Sequence, residues 1–143
     1  MSLQTQLLED MKTAMRAKDS AKLDMVRMIR SEIKNYEIDN GAADDAAVQK
    51  LIKTMLKQQK DALGDFQSAG RQDLIDETEV KIAILQSYLP TELPDAELQA
   101  IVDSVLSATD TRDFGPVMKQ VMQQVAGRAD GARVTAMVKQ ALA

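Results

Sequence analysis

Carboxylates are the first residues in this sequence that could carry chemistry, because it contains no His and no Cys. Asp76, Glu77 and Glu79 stand together, and on a helix positions 76 and 79 share a face, a spacing that suits a divalent cation or an acid and base pair. Acids in a first helical turn are also what the macrodipole favours on a solvated surface, and that is the expected role here. Asp39, Asp44 and Asp45 surround Gly41 without the alternating ligand order of a calcium loop, so they are expected to cap a turn. No Ser lies in a Gly-rich strand-to-helix turn, and Ser87 and Lys81 are more than one helical turn apart, so no hydrolase nucleophile is organised. With His and Cys missing, the usual neutral-pH base, zinc ligand and thiolate nucleophile are missing as well. Catalysis would have to run on carboxylates, Lys, Tyr or Ser alone. The expectation is a chain with no independent catalytic activity, no catalytic residue, no metal and no cofactor.

Cations form the second group. Arg27, Arg30 and Lys34 recur at i, i+3 and i+7, and Lys50, Lys53, Lys57 and Lys60 repeat the pattern. Each set makes a ridge on a helix, expected to be a solvated face neutralised by Asp24, Glu32, Glu37 and Asp61, with phosphate binding as the alternative. Further on, Gly127-Arg128-Ala129-Asp130-Gly131 joins two amphipathic segments, with Lys119, Arg133 and Lys139 nearby in sequence. Unpaired N–H groups at a helix start can hold a phosphate, but Asp130 as the cap would occupy that position. Net charge is −4, with 13 basic and 15 acidic residues before Pro90 and five and seven after it. Each part is therefore −2, which argues against a high-affinity nucleic-acid binder, whose affinity comes from Lys and Arg releasing counterions.

These residues must be positioned by helices. The 143 residues are 45% hydrophobic but only 3% aromatic, with nine Met and three Pro, so the core must be aliphatic and the elements long. Apolar residues recur every three or four positions and never alternate over strand length. The predicted fold is all-α, with about seven helices. Ser2 caps the first, carrying Leu3, Leu7, Met11, Ala14 and Met15 and stopping near Lys18. Asp19 and Ser20 open the second, with Leu23, Val26, Ile29, Ile33 and Tyr36, ending at Asn40-Gly41. Asp44 and Asp45 open a third of about seven turns, ending at Ala69-Gly70. A fourth carries Leu74, Ile75, Ile82 and Leu85 as far as Tyr88-Leu89-Pro90. The segment Leu89-Pro90-Thr91-Glu92-Leu93-Pro94 is read as a stiff connection, dividing a four-helix N-terminal block, 1–90, from a small three-helix C-terminal block, 91–143. In the second block helices start at Pro94-Asp95, at Asp113-Phe114 and at Asp130, with Gly127 as the C′ residue of the middle one.

The order of Gly70-Arg71-Gln72-Asp73-Leu74, Tyr88-Leu89-Pro90, Glu97-Leu98, Val117-Met118-Lys119 and Gly127-Arg128-Ala129-Asp130-Gly131 resembles the GatB/YqeY family over nearly the whole chain. The resemblance implies a stand-alone counterpart of the C-terminal tail of the B subunit of the glutamine-dependent aspartyl/glutamyl-tRNA amidotransferase. That tail is a helical appendage that contacts tRNA and performs no chemistry. The family label, carbon–nitrogen ligase activity with glutamine as amide donor, is read as inherited from the whole enzyme. The resemblance thus implies a tRNA-associated or amidotransferase-related accessory role, with tRNA, the amidotransferase or another protein as partner. By the same resemblance Lys119, Arg128 and Gly131 are the candidate RNA contacts, with Arg133 and Lys139 as neighbours. Where the family commonly has a capping Ser or Thr, this chain has Pro94, and Asp95 is expected to take over part of the capping. A rival reading is a protein-interaction adaptor that docks a partner through the C-terminal block. No apolar run reaches the roughly 18 to 20 residues of a membrane span, and the amphipathic, partly acidic N-terminus is unlike a signal peptide. The sequence is accordingly read as cytoplasmic, with no membrane partner.

Overall fold

A computed structural model describes residues 1–143 as seven α-helices and no strand. The fold is all-α, and it divides into two compact units, Met1–Leu89 and Pro90–Ala143.

The first unit holds α1 (Leu3–Ala17), α2 (Ser20–Asn40), α3 (Asp45–Ala69) and α4 (Gln72–Gln86). Their ends follow from local chemistry. Ser2 Oγ accepts from the Thr5 amide at 3.1 Å, Asp19 from Lys22 at 3.2 Å and Asp44 from Ala47 at 2.8 Å. Each satisfies an amide that the first helical turn leaves unpaired, an effect of about 1 kcal/mol. Lys18 terminates α1 in the left-handed region at φ 56°, and Gly70 terminates α3 at φ 68°. At Gly70 the conformation is free of steric cost, and at Lys18 it is not.

The buried stripes fall at helical spacing: Met25, Val26, Ile29 and Ile33 on α2, and Val48, Ile52, Met55 and Leu56 on α3. Leu7 from α1 and Leu85 from α4 complete the core with no exposed surface, and each such side chain contributes on the order of 1.5–3 kcal/mol of burial. Tyr88, 4% exposed, belongs to the same core. Its hydroxyl donates to Asp10 Oδ2 at 2.5 Å, and Lys22 Nζ sits 4.7 Å from the ring centroid. Burial, reinforced by the hydrogen bond to Asp10, raises the Tyr88 pKa above the ordinary tyrosine range. One position departs from the sequence reading: Met15, assigned to the apolar stripe, is 50% exposed. Thr78 on α4 is a buried polar residue whose hydroxyl donates to the Leu74 carbonyl at 2.7 Å.

The second unit packs α5 (Asp95–Ala108), α6 (Phe114–Val125) and α7 (Gly131–Leu142) around a largely valine core: Val102 and Val105 from α5, Val117, Val121 and Val125 from α6, Val134 and Val138 from α7. Valine is stiff and compact, so three short helices can approach closely with little side-chain entropy to lose. The end of α6 falls where expected. The helix stops at Val125 with Ala126 as its C-cap, at φ 52°, which makes Gly127 the C′ residue, at φ 79°. Two consecutive left-handed residues turn the chain sharply, and the Arg128 amide returns to the Val125 carbonyl at 3.1 Å.

Candidate nucleic-acid interface

Residues 91–94 determine what the basic side chains of the second unit can do. Prolines at 90 and 94 keep this stretch out of a helix, so its carbonyls need partners from elsewhere. Leu93 is buried at 4% exposure, and its amide donates to the Arg128 carbonyl at 2.7 Å. Arg128 Nε donates to the Thr91 carbonyl at 3.1 Å. Arg133 Nη2 donates to the Leu93 carbonyl at 2.6 Å and to Asp95 Oδ1 at 2.8 Å. Two arginines thus strap residues 91–95 onto the turn between α6 and α7. The segment read as a stiff connection belongs to the second unit. Asp95, expected to help cap α5, gives its carboxylate to Arg133, and neither it nor Pro94 supplies a side-chain cap.

The five candidates for RNA contact therefore fall into separate places. Arg128 and Arg133 come together at the strap, where Arg128 is exposed and Arg133 is half-buried. Lys139 lies near the opposite end of the unit, its ammonium 5.8 Å from the centroid of Phe114, the first residue of α6, whose side chain is 39% exposed. Lys119 is exposed on α6, and the 12 residues of that helix put about 18 Å between the two ends. Gly131 begins α7, and a Cβ there would meet no atom within 4 Å, so nothing requires a close backbone approach. Asp130 Oδ1 accepts from the Ala132 amide at 3.2 Å, so the cap occupies the start of α7 where a phosphate would sit.

The carboxylates of α4 are surface groups. Gln72 donates to Asp76 at 2.7 Å, Lys81 lies 3.9 Å from Glu77, and Arg71 holds Asp73 through two hydrogen bonds, at 3.2 and 3.0 Å. The hydrogen bond from Arg71 keeps the Asp73 carboxyl below its ordinary pKa, and Asp73 in turn raises that of Arg71. No group of three His, Cys, Asp or Glu is placed to hold a metal ion. Ser87 Oγ donates to the Ile84 carbonyl at 2.6 Å while Lys81 faces Glu77, so these two do not form a pair.

The basic ridge on α2 differs from expectation. Arg27, Arg30 and Lys34 make no ion pair with Asp24, Glu32 or Glu37. Glu37 instead accepts from the Ala43 amide at 2.8 Å, and Arg30 Nη1 meets the Met11 sulfur at 3.0 Å.

Helical caps, two compact units and exposed cations without an organised catalytic cluster are common to many small proteins; sequence similarity decides the relationship. Residues 4–142 match the family model described as Yqey-like protein. This chain belongs to the YqeY-like family. Among curated relatives it is similar to the protein named "Altered inheritance of mitochondria protein 41, mitochondrial" from Pyrenophora tritici-repentis, at 32% identity over 86% of this chain and 71% of that protein. The protein of the same name from Kluyveromyces lactis is 33% identical over 87% of this chain and 67% of its own length. That of Clavispora lusitaniae is 31% identical over 87% and 77%.

These names correct the expectation of a cytoplasmic protein, since the relatives of this YqeY-like chain are named as mitochondrial. The physical reason is that the cytoplasmic reading rested on apolar run length and N-terminal character. No helix is long and apolar enough to cross a membrane, but that property does not distinguish one aqueous compartment from another.

Proposed function

We propose that this YqeY-like protein is a non-catalytic accessory module that acts by binding a macromolecule, with tRNA, or an amidotransferase that works on tRNA, as the target class. The observation that carries the reading is how the charged side chains are used. Carboxylates cap helix starts, pair with cations or face solvent, and no nucleophile is held against a base, which supports a binding role. The resemblance to the amidotransferase tail supplies the target class. Lys119, Lys139 and Arg128, all exposed, are the cations assigned to phosphate contact in this reading.

The adaptor reading is favoured by a different observation: Arg133 and the Nε of Arg128 are committed to the strap, which leaves few cations for a polyanion. Affinity capture with the intact chain, with bound RNA sequenced and bound protein identified in parallel, tests both. Enrichment of tRNA over other RNA of similar length supports the first reading. A specific protein with no RNA enrichment supports the second and removes the first.

A further inference from the structure

A groove in the first unit runs between α1 and α2. The two helices are antiparallel, joined through Lys18 and Asp19. Arg30 meets Met11, and Gln4 reaches Glu37 at 3.5 Å. Both contacts are seven residues further on in each helix, so the register is constant and sets Met15 level with Val26 and Arg27.

Along α1 the groove presents Leu8, Met11 and Met15, at i, i+3 and i+7; Leu8 and Met11 are half-buried and Met15 is 50% exposed. Along α2 it presents Arg27, Arg30 and Lys34 at the same spacing, none of them in an ion pair. Where Leu8, Arg30 and Lys34 approach one another the surface sinks into a cleft of about 270 Å³, floored by Leu7 and Ile33. The one carboxylate on this lining, Glu37, is held by the Ala43 amide and Gln4. An apolar row beside a cationic row, both at helical period, matches a ligand with the same two rows. The half-buried guanidinium of Arg30 reaches only a thioether, a weak acceptor for a charged donor.

We infer that the α1–α2 groove of the first unit docks an acidic amphipathic helix of a protein partner, its apolar side against Leu8, Met11 and Met15 and its carboxylates on Arg27, Arg30 and Lys34. Opposite charge and an i, i+3, i+7 row on each side are the elements of helix-in-groove recognition, and Met supplies an adaptable contact surface. This goes beyond the reading of the second unit and does not depend on it.

The test uses the intact chain and a fluorescein-labelled synthetic helical peptide of about five turns, with Leu at i, i+3 and i+7 and Glu flanking it. Controls are a scrambled peptide of the same composition and a version with Lys in place of Glu. Anisotropy should give saturable binding, with both controls at least about tenfold weaker. Lys34→Glu, at an exposed position where the fold tolerates the change, and Arg27→Glu should each weaken binding about tenfold, and Met15→Ala several-fold. Lys57→Glu on α3, and the pair Lys119→Ala with Lys139→Ala in the second unit, should leave binding unchanged. Equal affinity for the scrambled peptide, equal displacement by single-stranded RNA of matched charge, no saturation, or indifference to Lys34→Glu with helix content intact would each overturn the assignment.

Discussion

Replacing Arg133 by Ala should cost the second unit more stability than its partly exposed position suggests. The side chain is 31% exposed and makes two bonds of unequal worth, to the Leu93 carbonyl at 2.6 Å and to Asp95 at 2.8 Å. The Asp95 side chain is 83% exposed, so that ion pair contributes about 0–1 kcal/mol. The bond to the Leu93 carbonyl is charge-assisted and sits beside a buried leucine, where such a bond contributes about 1.5–3 kcal/mol. Arg133→Ala should therefore destabilise the unit by roughly 2–3 kcal/mol, while Asp95→Ala should cost under about 1 kcal/mol. Arg133→Lys should fall between, because a single nitrogen, Nη2, serves both acceptors and an ammonium has the donors to replace it, but on a shorter side chain and with stronger hydration. The local reporter is hydrogen exchange at the Leu93 amide, which donates to the Arg128 carbonyl. In the Arg133→Ala protein its exchange should accelerate roughly 30- to 100-fold, taking about 1.4 kcal/mol per tenfold, with little change in the amides of α2. Unaltered Leu93 exchange, or equal losses for Arg133→Ala and Asp95→Ala, would refute the strap as the source of stability.

Asp130→Ala removes the α7 cap and should destabilise the second unit by about 1 kcal/mol in urea unfolding, with native helix content retained. Tyr88→Phe should change the alkaline behaviour of the first unit. Because the tyrosine pKa is raised in the fold, its stabilisation is complete below the unfolded value of about 10 and declines as pH rises from there towards the folded value. Thermal unfolding across that alkaline window should show the decline in the natural protein and much less of it in the Phe variant. Purified protein should release no ammonia from glutamine and amidate no mischarged tRNA, with or without ATP and Mg²⁺. Turnover that tracks the protein through purification would contradict a non-catalytic role.

Much of the fold is legible locally. Ser2, Asp19, Asp44 and Asp130 act as caps because a short acceptor ahead of an amphipathic run has few better uses, and each holds an amide in the structure. The core stripes on α2, α3 and α6 follow from the helical period. Met15 escaped the pattern because period alone cannot tell the centre of a buried face from its edge. Gly127 is the C′ residue of α6 because glycine takes the left-handed conformation there, at φ 79°, without steric cost. The strap was hidden because its bonds join residues 37 to 40 positions apart. A signal was present all the same: the stretch between Pro90 and Pro94 cannot bond to itself, and arginines at 128 and 133 are multivalent donors. Family membership came from the order of short motifs, each weak alone. Compartment did not, since nothing in packing or charge separates one aqueous space from another.

If the second unit binds through a few outward cations while Arg133 serves the fold, the two roles separate in a tRNA titration. The intact protein is titrated from low to physiological salt, and the series is repeated with Lys119→Ala plus Lys139→Ala. Two to three phosphate contacts at about 0.7–0.9 each predict a slope of log K against log salt of about −1.4 to −2.7. The double variant should reduce that slope by roughly 1.4 to 1.8, with helix content unchanged. No detectable affinity at low salt, or a slope and affinity indifferent to loss of both lysines, would contradict that division of roles.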